Sequence, residues 1–411
     1  MKVLVVSLLR LGDIFIHGLA INAFKKENPD IKVDLLINKQ FAYAEVLIYK
    51  ILSINNIIYF DRNEIQKSIL AEQEGLLRSF DLLESNIDLI NSQNYDEVYN
   101  LTHNHLSARL LDLISAKRIK GAHYKDLKPK GFEDELIRYI NKDYSSHGEM
   151  SFHSVDLFKK ILGVKNSSTK NSVENVKLNK IVIQAFSAEE KKEWNSQNWL
   201  ECAQKIRLMG LDLPIYFIAA PQELEKLQSL QTSFVGMKNI FFQTPNLLDV
   251  LNLIENSLLI TVDTSIKHLA CYVSSRILEV SLGSSNPFKT GPYQENSIVL
   301  HSSRQCAPCS HSEACPYEHR LCTEDIDPHL VALLSLAIVM EESKNSRGLM
   351  NLQIHSVKTN IFRTEMDDLG YWSMRDVSGP QAHDIYASMK SKRTQIIPRM
   401  QQNFIQNSEN I

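Results

Sequence analysis

Nowhere in the 411 residues is there an uninterrupted apolar run of about 18, the length a helix needs to cross a bilayer. Any membrane contact expected from this sequence is therefore peripheral. Excess basic charge is also missing. Lysine and arginine number 45 against 48 acidic residues, a formal net charge of −3, which argues against duplex nucleic acid as a ligand. Six cysteines are too few for a disulfide scaffold in so long a chain. No Gly-x-Gly-x-x-Gly follows the first apolar run, and its absence argues against a dehydrogenase. The opening Met-Lys-Val-Leu-Val-Val-Ser-Leu-Leu-Arg is broken early by Arg10 and Asp13, and no small-residue cleavage site follows. A cytoplasmic protein is expected.

With 44% hydrophobic and 23% charged residues the chain reads as globular, and its length predicts more than one core. Short β-rich runs alternate with helical patterns: Val3 to Ser7 then Ile14 to Phe24, Lys32 to Ile37 then Phe41 to Leu52, Ile57 to Phe60 then one long helix through Ile90, and Glu97 to Leu101 then a helix from His105. After a polar interval, Lys165 to Lys177, the rhythm restarts with strands at Lys180 to Ala185, Pro214 to Ala219, Ile240 to Phe242, Leu258 to Val262 and Arg276 to Ser281. This alternation predicts an α/β chain of two Rossmann-like parallel-sheet domains, residues 1–165 and 178–342, facing a cleft, with ligands at the carboxyl ends of the strands. Residues 343–411 read as a polar C-terminal extension without strand-helix rhythm. Tyr371, Trp372 and Ile361-Phe362 suggest that part of it docks, on its own body or on a neighbouring subunit in an oligomer.

The most informative segment is Leu-Leu-Ile-Thr-Val-Asp263-Thr264-Ser265-Ile-Lys-His268-Leu-Ala, residues 258 to 270. A strand running into a helix leaves the first helical N–H groups unpaired, and the macrodipole adds partial positive charge, so the turn suits an anion. Thr264 or Ser265 can cap, and His268 can point at the ligand. The rival reading is that Asp263 and Thr264 only cap a helix while His268 packs in an interior.

Other strand ends offer further groups. In Arg10-Leu-Gly12-Asp13, the glycine permits a tight turn or close backbone approach, and the carboxylate is a candidate general base, with a simple helix cap as the alternative. In the loop from Phe186 to Trp194, Ser187 can bond a phosphate oxygen and Lys192 can offset charge on a diphosphate, unless the run is merely solvated. Glu223, after Ala219-Ala-Pro-Gln, is a candidate for a ribose hydroxyl, although acidic residues at helix starts are common for dipole reasons alone.

Four cysteines crowd into Cys306-x2-Cys309-x5-Cys315-x6-Cys322, with His311 and His319 among them. That density is compatible with a structural zinc or iron. Four protein ligands would leave no open position for catalysis, and the alternative is reduced buried thiols.

Taken together, Arg10-x-Gly12-Asp13, Lys192-x-Trp194, Asp263-Thr264-x3-His268-Leu269-Ala270 and Gly291-Pro292 resemble glycosyltransferase family 9, the ADP-heptose:lipopolysaccharide heptosyltransferases. The cysteine pattern and Ile326-x-Pro328-x2-Val331 look like the heptosyltransferase II branch. The resemblance spans residues 1 to about 342. It implies a GT-B fold with an N-terminal acceptor domain, where Arg10 and Gly12 would contact the acceptor, and a C-terminal donor domain. It also implies inversion at the anomeric carbon with no cofactor required for catalysis. Asp13 matches the family's candidate base, while Ser187, Lys192, Glu223, Asp263, Thr264, Ser265 and His268 would hold the donor.

The chain departs from the family in three places. Ser265 replaces the glycine of Asp-Ser/Thr-Gly-x-x-His, Gly283-Ser-Ser-Asn-Pro287 modifies the Gly-Pro-Thr loop, and residues beyond 342 have no counterpart. The expected partners are an ADP-sugar and a glycolipid or glycan acceptor, which the resemblance would place at the inner face of the cytoplasmic membrane. Two alternatives stand beside this reading: an autotransporter-type protein heptosyltransferase with a cysteine-held metal, and a non-catalytic nucleotide-sugar-binding protein.

Overall fold

A computed structural model describes residues 1–70, 75–141, 152–165, 176–344 and 358–378. The described chain falls into two units, the first holding residues 1–141 and 154–165 and the second 152–153 and everything from 176 onward. The linker expected at Lys165 to Lys177 lies almost wholly outside the described residues. No helix among them is long and apolar enough to cross a membrane.

In the first unit, strands β1 (Lys2–Ser7), β2 (Lys32–Asn38), β3 (Asn56–Phe60), β4 (Glu97–Asn100) and β5 (Arg118–Lys120) form a parallel sheet in the order β3-β2-β1-β4-β5. Central strands of a parallel sheet are covered on both faces, which is why β1 is a continuous apolar run with Val3 to Val6 wholly buried. The helix Leu11–Glu27 covers this sheet, buries nearly every residue from Ile14 to Phe24, and packs against the helix Ser154–Leu162. His17 meets the Phe158 ring edge-on at 4.4 Å. The single helix expected through Ile90 is two, Arg62–Ile69 and Gly75–Asn91. A small antiparallel hairpin, β6 (His123–Lys125) and β7 (Lys128–Lys130), follows β5.

The second unit repeats the plan. Strands β8 (Lys180–Gln184), β9 (Ile215–Ile218), β10 (Ile240–Gln243), β11 (Ser257–Thr261), β12 (Arg276–Ser281) and β13 (Ile298–Ser302) are parallel, in the order β10-β9-β8-β11-β12-β13. Because all six run the same way, the loops after β8, β9, β11 and β12 emerge at one edge. Trp194, Trp199, Phe217 and Leu334 belong to the core below them.

Two more strands, β14 (Thr359–Met366) and β15 (Trp372–Asp376), extend this sheet antiparallel beyond β13. This corrects the expectation that the extension lacks strands. Its aromatic residues dock on their own body: Trp372 is 1% exposed, donates from Nε1 to the Pro292 carbonyl at 2.7 Å, and lies 4.7 Å from the His153 ring. The rest of the extension, residues 345–357 and 379–411, lies outside the described residues.

Candidate functional site

β11 ends at Thr261 between β8 and β12, with Gln184 and Glu279 as its register partners. Asp263 follows at the sheet's carboxyl edge. Its carboxylate is shared by two lysines. Lys192 Nζ, brought by the loop after β8, is 3.0 Å from Oδ2, and Lys267 Nζ, one helical turn on, is 2.5 Å from Oδ1. Lys267 also reaches Glu279 Oε1 at 2.9 Å, and neither of those side chains is exposed at all.

Burial alone would neutralise Asp263, but Lys267, Lys192 and His268 outweigh it and hold the carboxyl well below the usual carboxylate range. Lys267 shows the mirror image: burial opposes its charge, and the two carboxylates raise its pKa all the same. Glu279, also desolvated and repelled by Asp263, is pushed up to about 7 despite Lys267. One lysine thus serves two carboxylates whose proton affinities are driven apart. His268 is buried, and desolvation together with the neighbouring Lys267 lowers it to about 3. It is therefore a neutral imidazole at physiological pH.

The helix Ser265–Ala270 has six residues, so its dipole is small and the positive character of the turn comes mainly from Lys192 and Lys267. Thr264 caps it by backbone position alone. Its Oγ1 is buried without a hydrogen-bond partner among the described residues, as is Ser285 Oγ after the adjacent strand β12. Unsatisfied buried hydroxyls are costly, and a bound oxyanion would satisfy them. Ser265 is the first helical residue and is absent from the positive-φ positions, so a side chain is accommodated there.

The loop after β8 is itself anchored. Ser187 N–H donates to Glu193 Oε1 at 2.9 Å and its hydroxyl accepts from the Glu189 N–H at 3.3 Å. Glu189 lies 3.7 Å from Lys192 and accepts from Ser284 Oγ at 3.0 Å. Gly283, at φ +58, sits so close that a Cβ would strike the Lys191 carbonyl oxygen. Glu223 is not part of this cluster: its Oε2 accepts the Ala220 N–H at 2.9 Å, closing its own helical turn. Lys267, Glu279, Glu189 and Ser285 join the site without being among the residues expected from the sequence. The signals for the first two were a lysine four residues after Asp263 and a lone carboxylate inside the apolar strand Arg-Ile-Leu-Glu-Val-Ser.

In the first unit, Asp13 occupies the third position of its helix and Oδ2 accepts the Arg10 N–H at 3.0 Å, a capping box. Arg10 is exposed. Gly12 is helical and has no positive φ, so the expected tight turn is absent.

The cysteine loop corrects another expectation. All four cysteines are free of disulfides, and burial, with the neighbouring cysteines, pushes the Cys309 and Cys322 thiols up. Among the described residues no group of three or more His, Cys, Asp or Glu side chains is arranged to hold a metal ion. The expected zinc or iron at Cys306, Cys309, Cys315 and Cys322 therefore finds no support in the arrangement of these side chains. Backbone bonds tie the loop down: Lys191 Nζ donates to the Ser310 and His311 carbonyls, both at 2.7 Å, Cys309 N–H to the Gly283 carbonyl at 2.9 Å, and Arg320 to the Glu193 carbonyl at 3.1 Å.

The profile of glycosyltransferase family 9 (heptosyltransferase) matches residues 87–319, more than half of the chain. Among solved structures, a family 9 glycosyl transferase from Veillonella parvula DSM 2008 aligns with a TM-score of 0.58 at 20% identity, covering 83% of this chain and 97% of that one. The E. coli ADP-heptose lipopolysaccharide heptosyltransferase II gives 0.57 at 15%, covering 84% and 100%. E. coli heptosyltransferase WaaC with ADP gives 0.54 at 17%, covering 72% and 91%. These likenesses show the fold: two Rossmann-like domains of the GT-B type. No curated protein sequence matches the chain.

Proposed function

The chain belongs to glycosyltransferase family 9, the heptosyltransferases, and on that premise we propose that it moves a heptose or similar sugar from an ADP-sugar to a lipopolysaccharide core or another surface glycan. The observation that carries the reading is the Lys192–Asp263–Lys267 bridge beside the buried, unpartnered hydroxyl of Thr264. Cationic groups fixed in a dry setting suit a leaving diphosphate better than the same groups free in water, because nothing reorganises as charge develops. WaaC and heptosyltransferase II, one holding ADP and the other described by its ADP-heptose chemistry, support an adenine nucleotide sugar as donor.

In this reading the Asp13 carboxylate takes the proton of the acceptor hydroxyl as that oxygen attacks the anomeric carbon from the face opposite the leaving group. The new C–O bond forms, the anomeric carbon–phosphate oxygen bond breaks, and its electron pair departs on the diphosphate. A positioned base of this kind contributes about 100-fold to 10,000-fold. Lys192, with the Ser187 and Thr264 hydroxyls, offsets the growing negative charge. Asp263, already saturated by two lysines, orients Lys192 rather than touching phosphate, since two anions in contact would repel. His268, neutral, offers a hydrogen bond and no charge. Glu223 is assigned the ribose hydroxyl, and Arg10 and Gly12 the acceptor side. A glycolipid acceptor would place the work at a membrane face.

A thermal-shift screen of nucleotide sugars tests the donor. ADP-heptose at about 100 times its Kd should stabilise the protein by about 2.7 kcal/mol, with UDP- and GDP-sugars inert. A response to UDP-sugars alone overturns the heptose assignment.

A further inference from the structure

The hairpin of β6 and β7 carries a charge arrangement that its own stability does not explain. Its register pairs His123 with Lys130, Tyr124 with Pro129 and Lys125 with Lys128. Directly opposed residues of an antiparallel pair share a face, as do residues two apart. His123, Lys125, Lys128 and Lys130 therefore lie on one face, and Tyr124 with Pro129 on the other. Tyr124 is the side that packs inward: it is 8% exposed, beneath the Arg109 guanidinium at 4.7 Å and against Phe132. Lys125, Lys128 and Lys130 on the other face are exposed, and His123 is half-buried. Like charges facing each other across a ladder are destabilising, yet Lys125 and Lys128 do so, with only Asp126 as an acid within the hairpin.

The turn points the same way. Asp126 and Leu127 both have positive φ, 52° and 61°, the two-residue turn in which Asn-Gly is usual because a larger side chain is strained there. Leucine occupies the second position nonetheless and is 79% exposed. Its backbone is fixed by the Leu127 N–H donating to Asp112 Oδ2 at 3.2 Å, so the side chain is held out at the tip.

A strained, exposed apolar tip flanked by exposed lysines is matched to an anionic lipid surface: the leucine enters the acyl boundary while lysine stems lie along it and their ammonium groups stay at the headgroups. A chain whose net charge is −3 is poorly suited to long polyanions, so the positive charge here is local. We propose that the face formed by Lys125, Lys128 and Lys130, with Leu127 at its tip, docks the protein on an anionic phospholipid bilayer. The choice of a membrane fits the reading above of a lipid-held acceptor, but the contact is measured without any transfer assay, so the two stand or fall separately.

Sedimentation of the full chain with vesicles tests it, comparing phosphatidylcholine alone with phosphatidylcholine containing phosphatidylglycerol. The parent is expected to bind the anionic vesicles and not the neutral ones, with binding weakened by salt. Lys125→Gln, Lys128→Gln and Lys130→Gln together should lower the partition coefficient by about fivefold per lysine. Leu127→Asn should lower it further, while Lys238→Gln, exposed on the other unit, should not. All these side chains are at the surface, and an unchanged melting temperature shows that the variants fold. Equal binding to both vesicle types, or a triple variant that binds like the parent, overturns the proposal. So does full displacement by millimolar inorganic phosphate, which would make the face a small-anion site.

Discussion

Lys267 Nζ lies 2.9 Å from Glu279 Oε1, and neither side chain reaches solvent. With Asp263 at 2.5 Å on the same ammonium, the ion group joins the carboxyl end of β11 to the interior of β12. Removing one partner of such a group strands the others. Lys267→Met is expected to destabilise the second unit by about 3–5 kcal/mol. Lys267→Met with Glu279→Gln should recover part of the loss, because the second change removes one stranded charge. Urea denaturation of the three proteins checks this, and a single variant as stable as the parent would show that the lysine's charge is not needed.

Two histidines predict the pH dependence of stability. Burial, reinforced by His103 for His17 and by Lys267 for His268, lowers both to about 3. In the unfolded chain they titrate near their ordinary 6.5, so below that pH the unfolded state binds more protons. Stability from each neutral imidazole is complete above about pH 6.5 and falls as the pH drops towards 3, by about 2 kcal/mol per histidine at pH 5. Glu279 works the other way: its carboxyl, raised to about 7 in the folded state, binds its proton more readily there than in the unfolded chain and gains about 2–3 kcal/mol by pH 5. Melts recorded between pH 8 and 5 should therefore show a net decline of about 1–2 kcal/mol, and His268→Asn should flatten or reverse it. A parent curve that stays level to pH 5 would refute the burial argument.

Gly283→Ala is expected to cost about 1–3 kcal/mol, since φ is +58 and the new methyl would meet the Lys191 carbonyl. Because Lys191 adjoins Lys192, donor affinity should fall as well. Thermal melts with and without ADP measure both effects, and an alanine variant with parental affinity would separate this turn from the donor loop.

How much was legible in the sequence depended on periodicity. Parallel strands buried on both faces announce themselves as apolar runs, so β1, β2, β8, β11 and β12 were read to within a residue or two, and the loops after them followed. β14 was not visible, because Thr-Asn-Ile-Phe-Arg-Thr-Glu-Met mixes polar and apolar residues along an antiparallel strand that joins the sheet through β13, far upstream in sequence. Lys267 was missed because a lysine in a helix is normally solvated. Only Asp263 and Glu279, brought together by the register of β11 with β12, make its burial tolerable. The cysteine spacing suggested a metal, whereas the chain spends that loop's contacts on backbone bonds to Gly283 and Lys191.

Trp372 fills the space between His153 and Gly291-Pro292 and donates to the Pro292 carbonyl. Trp372→Ala should destabilise the second unit by about 3–5 kcal/mol. Proteolysis of the variant should release the segment carrying β14 and β15 well before the parent does, and equal protection would show that the hairpin is held without this ring.

The central claim is transfer from an ADP-sugar with Asp13 as the base. Release of ADP from ADP-heptose in the presence of a lipopolysaccharide acceptor, measured for the parent and for Asp13→Asn, tests it most directly. The account predicts turnover by the parent and a fall of about 100-fold or more in the variant, with the donor-induced thermal shift unchanged. Equal turnover by the two proteins, or ADP-heptose left intact by the parent, would contradict it.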